Sequence, residues 1–442
     1  MEMIINSSYL ITIGTLIGYE RKMKCKELAG TKEKEAYKQI PFCEGICCVQ
    51  TYRNIEKATL EVKTPIYEEL LHKLGYEMNY DDALYKEINY RLQNLNDAIE
   101  KYDLESVFLI VDKLQYLISK KDKNIYYKYL KIACNVILNY FKFNKLPETD
   151  EWFLLDNIYF GFPNYVKDIF VDLLYKYALS NMENDEEYFK YVCDLNLVVS
   201  SFVLNKINYL QYLCLKEQFD EFYLLTKPLL ESLEKRELYL RIIDIYDLKS
   251  YADMETNPTK IRDDLEDCND NITKLLNKLK IRIEDDSSPD ISKTIKRKLS
   301  QHYYHIGYSL MCIKNYEKAS KQIELSLMYD DVFEVICKVM LINCYDRLGI
   351  SKKDRMNGIY SLVRDYDDSN KHSIVFKYFV FKEKNDNIRE HLKYLKKNVL
   401  ENIFPEDTML VKIILYELNK LAKKTSNYQI LQEFIEKMGI ID

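Results

Sequence analysis

The sequence predicts an all-α protein, and three observations lead to that prediction. The 442-residue chain contains only 10 glycines and 8 prolines, roughly a third of average usage. Its long stretches are rich in Leu, Lys, Glu, Ile and Tyr, and apolar residues recur in them at helical spacing. Hydrophobic residues make up 47% of the chain, which excludes wholesale disorder and allows a large core. We therefore expect helices joined by short loops.

Composition also indicates where the protein is found. The eleven cysteines are odd in number and scattered along helical stretches, which favours reduced thiols in a cytosol over a disulfide framework. The opening "MIINSSYLITIGTLIG" lacks a basic n-region and runs into "YERKMK" without a cleavage site, unlike a signal peptide. No run approaches the roughly 18 uncharged apolar residues of a membrane span. We expect a cytoplasmic protein with no membrane partner.

The charge distribution weighs against DNA binding. The net charge is −6, so no global basic field attracts nucleic acid. Residues 1–80 contain 11 Lys or Arg, 11 Glu and no Asp, a net charge of zero. The N-terminal part is therefore less acidic than the rest, but it is not a basic patch.

The first two predicted helices precede residue 46. Apolar spacing in "YLITIGTLIGYERKM" predicts helix 1, with one apolar side formed by Leu10, Ile13, Leu16 and Ile17. A short helix 2 fits "YKQIPFCEG". Pro41 is tolerated only near the start of such a helix, and Gly45 suits the left-handed position that closes it.

Two more helices complete the first 80 residues. Helix 3, roughly 48–57, would place Tyr52 and Ile55 inward at i, i+3. Its other side carries short or polar groups able to reach base edges and phosphates: Val49, Gln50, Arg53 and Asn54. Helix 4 begins in "TPIYEELLHKLGY", with Thr64 as N-cap and Pro65 at the first helical position.

This region resembles the helix-turn-helix domain of the Gram-positive peptide-pheromone receptors, the RRNPP regulators. The shared pieces are the "GIC" turn, the "IE" that ends helix 3 and the "LLxKLG" of helix 4. The resemblance implies that Arg21 and Glu56 pair across helices 1 and 3, and that Gln39 opens helix 2 near a phosphate. It also implies that the residues facing the DNA groove are Val49, Gln50, Thr51 and Asn54.

The sequence departs from the family pattern at two places. Between Arg21 and Gln39 the segment "KMKCKELAGTKEKEAY" replaces a tight turn. Helix 3 starts with Cys48 instead of a serine or other polar residue, and an apolar Val49 follows. A degenerate helix-turn-helix that serves only dimerisation is therefore an alternative.

No motif predicts an enzyme, a cofactor or a metal. The chain lacks GxxxxGK[ST], GxGxxG, GxSxG and HExxH. Cys43, Cys47 and Cys48 form C-x3-C-C without a second pair at zinc-site spacing, and we expect them to pack a turn. His302 and His305 stand at i, i+3, and we expect a surface or packing role for both.

Repeats are predicted beyond residue 80. Residues 300–333 match a 34-residue tetratricopeptide repeat at eight positions, with Gly307 and Ala319 small where the two helices cross. The unit 334–367 has the same length with a weaker signature, and 203–233 repeats the aromatic that starts the second helix. The stretch 254–298 is predicted to be a longer loop with an extra helix. Stacked units of this kind form a right-handed α-solenoid with a concave face.

An extended peptide can lie in such a concave face. The repeat register and the family's use of asparagines to grip a peptide backbone together suggest a candidate set: Asn208, Gln301, Tyr304, Tyr308, Lys338, Asn343 and Tyr345. We thus expect a helix-turn-helix DNA-binding domain at 1–78 and a repeat domain at 79–442 that binds peptide and dimerises. The predicted function is a homodimeric, peptide-controlled transcriptional regulator in quorum sensing that binds double-stranded DNA. The alternatives are a scaffold with a vestigial helix-turn-helix and a phage lysogeny regulator of the same architecture.

Overall fold

The computed structural model confirms the all-α class for the part of the chain that it describes. It describes residues 5–59, 62–121, 123–143, 145–182, 184–195, 200–257, 274, 289–350, 370–405 and 407–440, and no β-strand occurs among them. The chain forms two compact units, residues 1–241 and 242–442. The boundary predicted at 78/79 is not the boundary between these units, since it falls inside the first one.

The first unit is built from twelve described helices before residue 239. They are α1 (Ser7–Glu27), α2 (Gln39–Cys43), α3 (Val49–Glu56), α4 (Thr64–Leu74), α5 (Asp82–Glu100), α6 (Leu104–Ile118), α7 (Ile125–Phe143), α8 (Thr149–Ile158), α9 (Asn164–Ser180), α10 (Glu186–Cys193), α11 (Val203–Leu215) and α12 (Phe219–Lys235). Short 3₁₀ helices cover Lys32–Tyr37 and Tyr159–Gly161. The helix α13 (Tyr239–Thr256) includes the boundary between the units.

The helix α1 is buried on every side from Tyr9 to Arg21, whereas the sequence predicted a single apolar side. The reason is that α1 packs against α3 and α4 and also against α7, α8 and the 3₁₀ helix Tyr159–Gly161. Thr12 Oγ1 donates to the carbonyl of Gly161 at 2.7 Å, which satisfies a polar group in this buried position. α1 is thus the central helix of the region that precedes residue 162.

The predicted turn between α2 and α3 is present. Gly45 has a φ of +80° after the end of α2, and Tyr52 and Ile55 of α3 are buried. One helix start differs from the prediction, because Lys63 is the N-cap of α4 and Thr64 is its first residue. Pro65 therefore stands one position later than expected, still within the first turn, where the missing N–H costs nothing.

The remaining helices of the first unit pack mainly on their neighbours in sequence. α5 contacts α6, α6 contacts α7, and α9 contacts α5, α10 and α11. The hydrophobic core of this unit extends from Tyr9 to Leu204, so it includes the region with the predicted helix-turn-helix. Residues 1–78 therefore share one core with the helices that follow them.

The second unit has its own core, from Ile306 to Met438. Its helices after α13 are α14 (Pro289–Cys312), α15 (Tyr316–Tyr329), α16 (Glu334–Arg347), α17 (Lys371–Lys384), α18 (Ile388–Tyr394), α19 (Thr408–Thr425) and α20 (Gln429–Lys437). Each of α14, α15 and α16 packs on the next helix. A Cβ at Gly307 would lie 2.5 Å from Ile323 Cγ1, so α14 and α15 cross closely there, as the repeat pattern predicted.

Two predictions fall wholly or partly outside the described residues. The second helix of the 334–367 unit lies there, as does most of the segment 254–298. Within the described part of the chain, no helix is both long and apolar enough to span a bilayer.

Candidate nucleic-acid interface and peptide cleft

The ion pair predicted between Arg21 and Glu56 is present in the first unit. Arg21 Nε lies 2.8 Å from Glu56 Oε1, and both side chains are only 7% exposed. Arg21 also donates to the Tyr52 hydroxyl at 2.9 Å and to the Tyr37 carbonyl at 2.8 Å. Burial alone would lower the pKa of the Arg21 guanidinium, but the hydrogen bond to Glu56 and the attraction of its charge outweigh burial and raise it. The pair therefore fixes α3 to α1.

Two glycines of α1 make this close contact possible. A Cβ at Gly14 would lie 2.7 Å from the Ile55 carbonyl oxygen, and one at Gly18 would lie 2.9 Å from Glu56 Cγ. Any larger residue would push α3 away from α1. The i, i+4 spacing of the two glycines in "IGTLIG" was a signal for this contact that the sequence prediction missed.

The predicted phosphate contact, Gln39, is engaged inside the protein. Its Nε2 donates to Glu56 Oε2 at 2.8 Å, and its Oε1 accepts from Arg53 Nε at 3.3 Å. The half-buried Gln39 side chain thus bridges the buried ion pair and an exposed arginine. Its role in the structure is to orient Arg53, with both ends of its amide already bonded.

The outer side of α3 carries the other predicted DNA contacts. Gln50 and Arg53 are exposed, and Gln50 Nε2 donates to Asn54 Oδ1 at 3.1 Å. The partly exposed members are Val49, Thr51 and Asn54. The structure therefore brings all five onto one short helix, with hydrogen-bonding groups at its surface.

Cys48 does not pack the turn, contrary to the prediction. It is exposed and is the N-cap of α3, where its Sγ accepts from the Thr51 backbone N–H at 3.4 Å. The Thr51 hydroxyl, 3.0 Å from Sγ, lowers the pKa of this thiol. Cys43 is buried and does pack beneath the turn, as predicted. Among the described residues no group of three His, Cys, Asp or Glu side chains could hold a metal ion.

Asn208 is the predicted peptide contact in the first unit, and it lies buried. Its Nδ2 donates to Asp172 Oδ1 at 2.8 Å, and its Oδ1 accepts from Lys176 Nζ at 2.9 Å. Lys176 is also 2.9 Å from Asp172. The amide thus completes a polar cluster between α9 and α11, so it is not placed to grip a peptide.

In the second unit, several predicted peptide contacts have partners of their own. The Tyr304 ring stacks on Phe333 at 5.2 Å between centroids, and the Tyr308 hydroxyl lies 3.4 Å from Thr408 Oγ1. Lys338 is buried and pairs with Glu334 at 2.6 Å on the same helix. Gln301 is half-buried, and Tyr345 donates to Glu324.

Asn343 is the predicted contact that lines a cavity. The cavity has a volume of about 390 Å³, and Asn343 shares it with Tyr316, Arg347, Lys412, Tyr416 and Asn419. The Arg347 guanidinium stacks on Tyr416 at 3.3 Å from the ring centroid. The cavity thus offers two side-chain amides, aromatic walls and cations to a ligand. We call it the Asn343 cavity.

Comparison with known proteins adds no relative. No family model, no curated protein and no solved structure matches this chain. Its function is therefore inferred from the residues and contacts described above.

Proposed function

We propose that this protein is a cytoplasmic, homodimeric transcriptional regulator that binds double-stranded DNA through α3 and is controlled by a short peptide. The observation that carries the proposal is the way α3 is held. Its inner side is anchored by the Arg21–Glu56 pair, while Gln50 and Arg53 are exposed on its outer side. Direct readout of DNA requires this combination of a rigid helix and exposed hydrogen-bonding groups.

The chemistry of the outer side matches a duplex groove. A glutamine amide can bond an adenine edge in two places, so Gln50 is the proposed base contact. Arg53, oriented by Gln39, is the proposed phosphate contact. These roles follow from the resemblance to a helix-turn-helix domain of the region that begins at "IGTLIGYER" and ends at "LLHKLGY".

The Asn343 cavity supports the peptide part of the proposal. Its volume of about 390 Å³ falls in the range of roughly 300–1,000 Å³ that is usual for ligand sites. The Asn343 and Asn419 amides can bond a peptide backbone, while Lys412 and Arg347 suit an acidic side chain or a carboxyl terminus. A solenoid of repeats is the proposed architecture of this region.

The test is selection of DNA from a random duplex library, followed by fluorescence anisotropy on the selected sequence at several salt concentrations. We expect salt-sensitive binding, because phosphate contacts release counterions. Gln50→Ala should reduce the free energy of binding to the selected duplex by about 1–3 kcal/mol and relax the preference at one base pair. The control is Gln93→Ala, which changes an exposed glutamine on α5 and should leave the affinity unchanged. The absence of any selected sequence would contradict the proposal.

Peptide control is tested with the same selected duplex. A peptide that binds the Asn343 cavity should change operator affinity, and the duplex should change peptide affinity by the same factor, typically about 5–150-fold. Asn343→Ala should weaken peptide binding. In the absence of peptide, it should leave the affinity for the selected duplex unchanged. Equal affinity for the selected duplex with and without bound peptide would contradict control by the peptide. It would leave the proposal of DNA binding intact.

A second candidate function is a scaffold that binds a partner protein and has lost DNA binding. The zero net charge of residues 1–80 favours it, because most DNA-binding domains carry a basic surface. The library selection separates the two functions, since a scaffold would enrich no duplex.

A further inference from the structure

A second cavity lies in the first unit, and none of the residues that line it belongs to α3. It has a volume of about 400 Å³ and lies between the C-terminal half of α1, the segment that follows α1 and α8. Its wall includes Lys22 and Lys26 of α1, Lys34 of the 3₁₀ helix and Phe153 of α8. We call it the lysine cavity.

The charge of the lysine cavity is unusual for a chain with a net charge of −6. No described carboxylate lines it. Four cationic side chains do, namely Arg21, Lys22, Lys26 and Lys34. Arg21 is neutralised by Glu56. In the part of the chain that the structure describes, the three lysines form no ion pair, so no paired carboxylate neutralises them. Asp150 of α8 is close enough to Tyr19 to add to the effect of burial in raising the pKa of its hydroxyl, and Asp156 accepts from Tyr188, but neither carboxylate lines the cavity.

The cavity also has an apolar wall. Tyr19, Met23 and Phe153 contribute it, and the Lys26 ammonium lies 4.5 Å from the centroid of the Phe153 ring. An ammonium over a ring face interacts with the aromatic quadrupole, so Lys26 is held at the wall and its donors remain free for an anion. Ligand sites typically combine such an apolar wall with a few convergent polar groups.

The residues that form the cavity come largely from the segment that departs from the helix-turn-helix family pattern. Lys22, Lys26 and Lys34 all belong to the stretch between Arg21 and Gln39, where the family has a tight turn. The segment continues α1 to Glu27 and then returns toward α2 through the 3₁₀ helix Lys32–Tyr37. The extra residues thus create a cavity that a tight turn could not provide.

We propose that the lysine cavity binds a small phosphorylated molecule. Its phosphate oxygens would accept from Lys22, Lys26 and Lys34, and its organic part would lie against Met23 and Phe153. Three ammonium groups suit the multiple charges of a phosphate chain, since each donates a charge-assisted hydrogen bond. A duplex backbone fits this site less well, because the site is a concave cavity of about 400 Å³ and one of its walls is apolar. The proposal does not depend on DNA binding by α3.

The test is isothermal titration calorimetry of the full chain at about 150 mM salt, where weak surface charge attraction is screened. The probes are inorganic triphosphate, adenosine triphosphate and adenosine. We expect one triphosphate site with a Kd below about 1 mM. Adenosine triphosphate should bind more tightly than triphosphate because of the apolar wall, and adenosine should bind most weakly.

The variants are Lys26→Glu and Lys34→Glu, with Lys120→Glu as a control that makes the same charge change at an exposed position of the same unit. Each cavity variant should weaken triphosphate binding by at least about tenfold, and the control should leave it unchanged. The emission of Trp152, the only tryptophan, reports whether each variant retains the fold around α8.

Three results would overturn the proposal. The first is the absence of triphosphate binding, and the second is an equal loss of triphosphate affinity in Lys120→Glu. The third is equal affinity for triphosphate and adenosine triphosphate, which would mean that the apolar wall does not contact the organic part of the ligand. A further contrary result is weaker duplex binding by Lys26→Glu and Lys34→Glu when no probe binds. The lysines would then be contacts to a DNA backbone and not a small-molecule site.

Discussion

Replacing Glu56 by glutamine should destabilise the first unit strongly. The change keeps the size of the side chain and its hydrogen bond to Gln39 can persist, but it removes the charge that faces Arg21. The guanidinium, 7% exposed, would then be a buried cation without a counterion. Arg21→Met should produce the converse defect, a buried carboxylate without its cation.

The magnitude follows from burial. Breaking one partner of a buried pair costs about 3–5 kcal/mol, because the remaining charge is uncompensated. Arg21 also serves the Tyr52 hydroxyl and the Tyr37 carbonyl, and Glu56 keeps Gln39 as a partner. We therefore expect about 3 kcal/mol for each single variant, at the low end of that range. The double variant should cost about 2 kcal/mol less than the sum, since neither buried charge remains.

The single tryptophan provides the assay. Trp152 stacks on Tyr177 at 4.9 Å between centroids and donates to the Tyr188 hydroxyl at 2.6 Å, so its emission reports on the first unit. Urea unfolding followed at this fluorophore measures the free energy of unfolding of that unit. The control is Lys86→Met, which breaks an exposed pair with Asp82 on α5 and should leave the midpoint unchanged.

Two outcomes would refute this reasoning. Costs below about 1 kcal/mol for both single variants would mean that the pair behaves as a solvated surface contact. Additive costs in the double variant would mean that Arg21 and Glu56 act through separate neighbours.

Three further predictions concern other parts of the molecule. Gly161→Ala should destabilise the first unit by about 1–3 kcal/mol in the same urea assay, because a Cβ would lie 2.3 Å from Thr15 Oγ1. Burial lowers the pKa of His305 below its ordinary 6.5, so the unfolded chain takes up this proton first. The thermal stability of the second unit should therefore fall from pH 7.5 toward pH 5.5, as measured by calorimetry, and should fall less in His305→Gln. Cys48 should react first with iodoacetamide in a peptide map, because the Thr51 hydroxyl lowers its pKa while burial raises the pKa of the thiols in the core.

Local patterns predicted the parts of the fold that depend on neighbours in sequence. The all-α class, the left-handed Gly45 and the inward Tyr52 and Ile55 all follow from spacing and backbone preference, and the structure has them. The contact between Arg21 and Glu56 was expected only because of a resemblance. Composition and periodicity alone do not pair two residues that are 35 positions apart.

What the sequence did not predict depends on tertiary neighbours. Asn208 looked like a peptide contact because asparagines on repeat helices can grip a backbone, but its partner Asp172 lies 36 positions earlier. α1 looked one-sided because the helices that cover its other faces begin after residue 124. The lysine cavity required the fold as well, since Lys26 and Phe153 meet only when α1 and α8 pack together.

The burial of α1 from Tyr9 to Arg21 has a consequence for experiments with fragments. A fragment that ends at residue 78 would lose the Asn124 amide bonded to Tyr9, the Gly161 carbonyl bonded to Thr12 and the Lys128 ammonium paired with Glu20. It would also expose apolar surface on several faces of its longest helix, and such surface drives aggregation. The smallest autonomous piece that preserves α3 should therefore extend at least past Gly161, and shorter expression products should be recovered as insoluble material.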